Sequence, residues 1–527
     1  MTQNKILILD FGSQFTQLIA RRLRELGYYS FIMPGTVELS RIESFGAKAV
    51  ILSGGPSSVY ETGSPQLDSE FWTWVKGKKL PVLGICYGMQ LMVQEFKGEI
   101  KSAHKREYGR MKVKTEANSP LFQGISEFHA WMSHGDETAK LPESFKIAAK
   151  SIEGAVAAIA HTELPYLGIQ FHPEVTHTEW GEEILKNFLL KISGLSPDWE
   201  TKSIIESHIQ AIQKHIPNDA LVLCGLSGGV DSTVAATLVE RAIGKRLHCV
   251  FVDTGLLRFN EGDRVMKLFT EELNLQVTRV NAEERFLAKL AGLSDPEAKR
   301  KAIGAEFIAV FDDAALELEK SLGKRPDFLV QGTLYPDVIE SSPAPSSKEG
   351  AKHSHTIKSH HNVGGLPKDL KFKLVEPFRD LFKDEVRAIG KELGVPEKFI
   401  MRHPFPGPGL GVRILGDITK EKIKTLQQAD EIFISMLQEN NLYDKVWQAM
   451  AILLPVKTVG VQGDGRTHAN VVALRAVTSR DGMTADFYPF DLEFLGRVST
   501  RICNEVRGVN RVTYDITSKP PATIEWE

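Results

Sequence analysis

The sequence predicts an α/β protein with two doubly wound, mostly parallel-sheet domains followed by a small α+β domain. Three observations predict it. Short apolar runs that stop at glycine-rich turns alternate with helical patterns, which is how parallel βα units read in sequence. The series breaks at a polar Gly/Pro stretch and restarts, and beyond about His403 it gives way to alternating apolar strands.

The first series has strands at Lys5–Leu9, Ala49–Leu52, Val82–Ile85 and Tyr166–Phe171 and closes with a helix near Glu182–Ile192. Ser193–Lys202 reads as an inter-domain linker with little to bury. The second series has strands at Ala220–Cys224, Leu247–Val252, Gln276–Val280 and Asp327–Gln331, with a helix opening near Asp231. Ser341–Thr356 is rich in Ser, Pro, Lys and His, too polar for a core and too long for a tight turn, and reads as a mobile lid. The last region has strands at Val456–Gln462 and Asn470–Val477, a helix around Phe494–Val506 and a strand near Arg511–Ile516. With 527 residues and a prior of about 150 per domain, the expected units are 1–196, 197–402 and 403–527. No internal repeat is evident.

Charge and composition exclude several classes. Lys plus Arg number 64 against 67 for Asp plus Glu, a net charge of −3, so no basic face marks a bulk nucleic-acid or membrane binder. The apolar run Ile6–Leu9 ends at Asp10 without the basic start or length of a secretory signal. No apolar stretch reaches the ~18 residues that span a bilayer. Cys86, Cys224, Cys249 and Cys503 are too far apart for a zinc site or small disulfide scaffold, so a reducing, cytoplasmic setting fits.

One cysteine has chemistry around it. Gly84-Ile85-Cys86-Tyr87-Gly88 joins a buried-type strand to a helical pattern, Met89–Phe96. A sharp strand-to-helix turn lifts the thiol above the sheet and needs glycines on both sides. The adjacent helix N-terminus favours the thiolate, the reactive form. The Tyr87 N–H is a natural oxyanion donor, and Gly54-Gly55-Pro56 offers a second at Gly55. A free cysteine is more often a small buried hydrophobe. Against that, a second strand ends in His172-Pro173-Glu174, supplying a base and a carboxylate to orient it on one side of an extended segment. The runs Gly84–Gln90 and Gln170–Glu174 resemble those of class I glutamine amidotransferases, over about residues 4–195. The resemblance implies that Cys86 attacks the glutamine amide, His172 moves protons, Glu174 orients His172, and ammonia leaves from a glutamyl thioester.

A second motif follows the strand Ala220–Cys224: Ser227-Gly228-Gly229-Val230-Asp231-Ser232-Thr233. Small residues there let N–H groups and hydroxyls wrap an anion at a helix N-terminus. A tight turn with an N-cap serine would give the same letters. The loop lacks the lysine of a P-loop. Asp231 inside an anion loop makes sense when it reaches a divalent metal, Mg2+, that bridges phosphates. Both points suit a cradle for leaving pyrophosphate. The loop resembles the signature of N-type ATP pyrophosphatases, which activate a carbonyl oxygen with AMP. The resemblance places adenosine near Asp253 in Val252–Gly255, and makes Lys383 in Phe382–Arg387 a cation on pyrophosphate. An exposed helical lysine paired with Asp384 or Glu385 is the plain alternative for Lys383.

Three further stretches, Lys358–Pro367, Arg402–Gly411 and Lys519–Glu527, resemble the GMP synthetase family, so the likeness runs end to end. It implies ATP, glutamine and XMP as substrates, and a homodimer formed through the C-terminal domain. Arg466, Lys519, Ile524 and Glu525 are the XMP-binding candidates, although turn formation explains Gly463-Asp464-Gly465 equally well. His360, His361 and Asn362 are read as nucleotide-closing rather than zinc-binding with His353 and His355, because no cysteine accompanies them. In that chemistry ATP turns the C2 oxygen of XMP into an AMP leaving group, and ammonia must arrive unprotonated, shielded from bulk water. The competing readings are another glutamine-dependent adenylating enzyme such as an NAD synthetase, a non-catalytic nucleotide sensor, which should lack the Cys86, His172 and Glu174 set, and a redox protein, which should offer a resolving cysteine near Cys86.

Overall fold

A computed structural model describes residues 4–116, 119–341, 372–479 and 484–527. The described chain falls into two compact units that meet in sequence at Ile204/Ile205. The expected lid after Ser341 and its histidines, with Asn362, lies outside the described residues.

The first unit carries a nine-stranded sheet built from β1 (Lys5–Asp10), β2 (Tyr29–Pro34), β3 (Ala49–Leu52), β4 (Val82–Ile85), β5 (Glu99–Thr115), β6 (Glu127–Lys140), β7 (Phe145–Ser151), β8 (Val156–His161) and β9 (Tyr166–Ile169). Its order is β2-β1-β3-β4-β9-β8-β7-β5-β6. Pairing is parallel from β2 through β9 and antiparallel from β9 through β6. The parallel half is the expected one, with β3 and β4 fully buried and wholly apolar or glycine. The antiparallel half was not expected from sequence, because β5 is long and mostly polar. In β6 the apolar side chains Phe128, Ala130 and Met132 alternate inward, the period of a half-buried strand.

Ser193–Lys202 is less free than its polarity suggested. The Trp199 ring lies 4.8 Å from that of Tyr29, with the Arg24 guanidinium stacked on both. The Asp198 and Trp199 N–H groups donate to Gly27 O. One tryptophan gives this stretch enough apolar area to bind the first unit.

In the second unit a fully parallel sheet has the order β12-β11-β10-β13-β14. Its strands are β10 (Val222–Leu226), β11 (Leu247–Asp253), β12 (Val277–Asn281), β13 (Phe328–Val330) and β14 (Lys373–Val375). The chain runs from β10 outward to β12, then returns to the other side of β10, so the carboxyl end of β10 is a switch point, the usual place for a ligand crevice. A second sheet pairs β15 (Gln448–Gln462) antiparallel with β16 (Gly465–Thr478), which also takes β17 (Asp486–Phe487) antiparallel and β18 (Val509–Tyr514) parallel. One apolar core runs from Leu223 and Val250 through Leu410 and Ile414 to Val472 and Val509, so both sheets of this unit share it.

Candidate functional site

Three adjacent parallel strands, β3, β4 and β9, end side by side and deliver Gly54-Gly55, Cys86 and His172 to one place. Cys86 joins β4 to the helix Tyr87–Glu95 with φ 50° and ψ −106°, a conformation that non-glycine residues rarely adopt. The glycines on either side explain how the turn fits. A Cβ on Gly84 would lie 2.6 Å from the Gly88 carbonyl, and one on Gly88 would lie 2.4 Å from Leu52 O. The expected helix begins two residues earlier than predicted, at Tyr87, so the Tyr87 N–H is among those with no carbonyl one turn back.

A Cβ on Gly54 would be 3.1 Å from His172 Cε1 and 3.5 Å from Cys86 Cβ, which places the thiol and the imidazole against the same glycine. Gly55 is next to Tyr87: its Cβ would sit 3.3 Å from Tyr87 Cγ and 2.7 Å from Phe11 O. His172 Nδ1 is 2.7 Å from Glu174 Oε1, with both side chains buried. Phe15 packs edge-on against the imidazole. Burial opposes charge on His172, but the Glu174 carboxylate and the Cys86 thiol outweigh it and push its pKa up to about 10. That balance favours an imidazolium beside the sulfur. Gln170, not singled out from sequence, donates Nε2 to Cys86 Sγ at 3.6 Å.

In the second unit the predicted loop caps β10 at the switch point. Ser227 and Gly229 are exposed and Gly228 is buried with φ +76°. Ser227 Oγ lies 3.2 Å from Ser232 Oγ and accepts from Gly229 N at 3.3 Å. The helix Val230–Ile243 begins at the loop, and Thr233 Oγ1 donates back to Gly229 O at 2.8 Å. Lys383 Nζ is 3.3 Å from Asp231 Oδ2, while Glu385, one of the two partners in the plain alternative, accepts from Phe382 N and caps the helix Lys383–Glu392. Asp231 Oδ1 is buried without a hydrogen-bond partner. A buried acceptor left in this way fits a cation. Among the described residues no cluster of three or more metal-binding side chains exists, so Asp231 is not part of a preformed protein metal cage there. Asp253 ends β11, and its carboxylate is committed to Arg279 at 2.6 Å and to Gly255 N at 3.1 Å.

The C-terminal candidates divide. Glu525 receives Arg413 through Nε at 3.1 Å and Nη2 at 2.8 Å, and Gln448 Nε2 at 2.5 Å. Ile524 is buried, and its carbonyl accepts from Arg475 Nε at 2.8 Å. Lys519 pairs its backbone with Ala485 ahead of two cis prolines. Arg466 is at the other, exposed end of the β15–β16 hairpin, opposite Val461. Along strands that rise ~3.3 Å per residue, with a bulge between, roughly 20–30 Å separate it from Arg475 and the tail. Arg413, Gln448 and Arg475 were not found from sequence: a buried polar side chain is legible only through its partner, and these partners are 40 to 112 residues away.

Together the two loops define a glutamine-dependent amidotransferase coupled to a nucleotide-activating α/β fold. The chain matches the family "Glutamine amidotransferase class-I" over residues 7–192, "NAD synthase" over 202–303 and "GMP synthase C terminal domain" over 435–526. It is 55% identical to the GMP synthase [glutamine-hydrolyzing] of Chlorobium chlorochromatii, over 99% of both chains. It is 54% identical to the enzyme of Brachyspira hyodysenteriae, again over 99% of both, and 53% identical to that of Bradyrhizobium diazoefficiens, over 99% of this chain and 93% of the relative. A solved structure from Thermoplasma acidophilum, of a putative GMP synthase subunit, is 33% identical over 37% of this chain and 96% of its own, with a TM-score of 0.33.

The chain belongs to the glutamine-hydrolysing GMP synthases. It is a ligase that takes ammonia from glutamine, activates XMP with ATP as an adenyl intermediate, and forms GMP, AMP and pyrophosphate. The NAD synthetase alternative is not favoured, since its family match stops at residue 303 and the C-terminal match is to GMP synthase.

Proposed function

We propose that residues 1–196 are the glutaminase, 197–402 the ATP pyrophosphatase, and 403–527 the dimerisation and XMP-binding region. The observation that carries the first assignment is the convergence of a strained Cys86 with the buried His172–Glu174 pair at three neighbouring strand ends. Cys86 attacks the glutamine side-chain carbonyl. The N–H groups of Tyr87 and Gly55 receive the oxyanion, and His172 hands a proton to the departing ammonia. Glu174 holds the imidazole in position. Water then cleaves the thioester with His172 as base.

In the synthetase the loop Ser227–Thr233 and Lys383 receive the phosphates of ATP, and the turn at Asp253 shapes the adenosine end. Mg2+ held at Asp231 would supply positive charge against the leaving pyrophosphate. The C2 oxygen of XMP takes AMP, and ammonia displaces AMP from C2. Lys519, Ile524 and Glu525 hold XMP at one end of the β15–β16 hairpin. Since Arg466 is out of reach at the other end of the hairpin, it serves the XMP of a second copy. The exposed Val459 and Val461 beside it support a homodimer through this hairpin. No described helix is long and apolar enough to cross a membrane, and four free thiols suit the cytoplasm.

The test is Cys86→Ala, assayed with glutamine or with an ammonium salt. GMP formation from glutamine should fall by roughly 10⁴-fold or more while ammonium-driven formation persists. Retention of the glutamine-driven rate would refute the assignment of the nucleophile.

A further inference from the structure

The phosphate loop is held from behind by a residue to which the sequence assigns no role. Arg402, at the start of the Arg402–Gly411 stretch, donates Nη1 to Gly228 O at 3.2 Å. Its other arm pairs with Glu261 Oε1, and the guanidinium lies over the Phe399 ring at 5.0 Å. Glu261 is buried and fixed in turn, since its second oxygen accepts from Arg258 N at 2.9 Å. The guanidinium is therefore anchored on two sides before it reaches the loop.

A trans peptide sends its carbonyl and its following N–H in opposite directions. Drawing the Gly228 carbonyl inward thus turns the Gly229 N–H outward, to the open side where it meets Ser227 Oγ at 3.3 Å and where Ser227 and Ser232 approach each other. Two successive glycines leave this peptide unusually free to rotate. Rotated, it would aim a carbonyl oxygen, not a donor, at an incoming anion.

We infer that Arg402 is a positioning residue for pyrophosphate, locking the Gly228–Gly229 peptide with its N–H toward the phosphates. It acts through the backbone and does not touch substrate. The inference rests on the proposed role of the Ser227–Thr233 loop.

The experiment uses the full-length enzyme driven by ammonium, with inhibition by pyrophosphate as the readout, for Arg402→Gln, Arg402→Lys and, as a reference, Lys383→Ala. Arg402→Gln should raise the inhibition constant for pyrophosphate and the KM for ATP about tenfold. The KM for XMP and the rate of glutamine hydrolysis should stay within about twofold of the parent. Arg402→Lys keeps a charged donor but cannot bridge Gly228 O and Glu261 together, so it should fall between. Should Arg402→Gln not fold, the lysine variant carries the same readout. Weaker pyrophosphate inhibition in Lys383→Ala with none in either Arg402 variant overturns the inference while sparing the loop assignment. No change in any of the three overturns the loop assignment as well. An equal rise in the KM for XMP would show general loosening and also overturn it.

Discussion

The cysteine turn and the phosphate loop are both glycine-rich links between a parallel strand and a helix, yet they are built on opposite lines. At Cys86 almost every surrounding group is buried and the glycines serve to avoid collisions of 2.4–2.6 Å. At Ser227–Ser232 the hydroxyls are accessible and bond to one another. A covalent nucleophile needs its neighbours fixed before substrate arrives, so the geometry is stored in the fold. An anion site can leave its donors partnered with each other until phosphate replaces them.

If that contrast is right, damage at the loop should strike both nitrogen sources, and damage at the cysteine site only one. Asp231→Ala removes the loop carboxylate that pairs with Lys383 and should lower both glutamine- and ammonium-driven GMP formation by about 10²–10³-fold. Steady-state rates with each nitrogen donor check this, and loss from glutamine alone would contradict the division of labour.

Glu174→Gln probes the stored side of the comparison. Burial works against the His172 charge, and Glu174 is the largest influence that raises its pKa to about 10. Removing that negative charge leaves burial with less opposition, so the folded-state pKa falls and the imidazolium loses its proton at lower pH. The alkaline limb of glutamine hydrolysis should move to lower pH, and the rate near neutrality should drop about 10²-fold. The ammonium-driven pH profile should not move. A pH–rate curve for each nitrogen source distinguishes the two.

The same contrast accounts for what could be read from sequence. The cysteine turn was legible because its steric demands fall on neighbours in the chain, Gly84 and Gly88, and because His172 and Glu174 are two residues apart. The loop was legible for a similar local reason. Arg402, Arg413 and Arg475 were not, because what gives each its role, Gly228 O, Glu525 or Asp515 with the tail carbonyls, is far away in sequence. The antiparallel half of the first sheet is hard to read from sequence because charged residues crowd β5, and its inward period-2 signal is clearer in β6. Ser193–Lys202 does end next to the boundary between the two units at Ile204/Ile205, but average polarity does not show that Trp199 and the hydrogen bonds of Asn4 and Tyr28 to this stretch hold it against the first unit.

The smallest expected effect is at Ser232. Its hydroxyl touches Ser227 Oγ at 3.2 Å and Gly229 O at 3.2 Å, on the exposed face of the loop. Ser232→Ala leaves no cavity in a packed core, so it should cost little stability, within about 0.5 kcal/mol. On the proposed role of the loop it removes one donor for phosphate, and the KM for ATP should then rise about three- to tenfold. Glutamine hydrolysis should be unaffected. The informative counterpart is Gly88→Ala, which also changes the side chain by a single heavy atom but drives that atom to 2.4 Å from Leu52 O. Chemical denaturation of the two variants should therefore separate a loop whose side chains wait for a ligand from a turn whose missing side chains let the backbone close. Equal loss of stability in both would mean that the exposed loop is as tightly packed as the cysteine turn, and the contrast would fail.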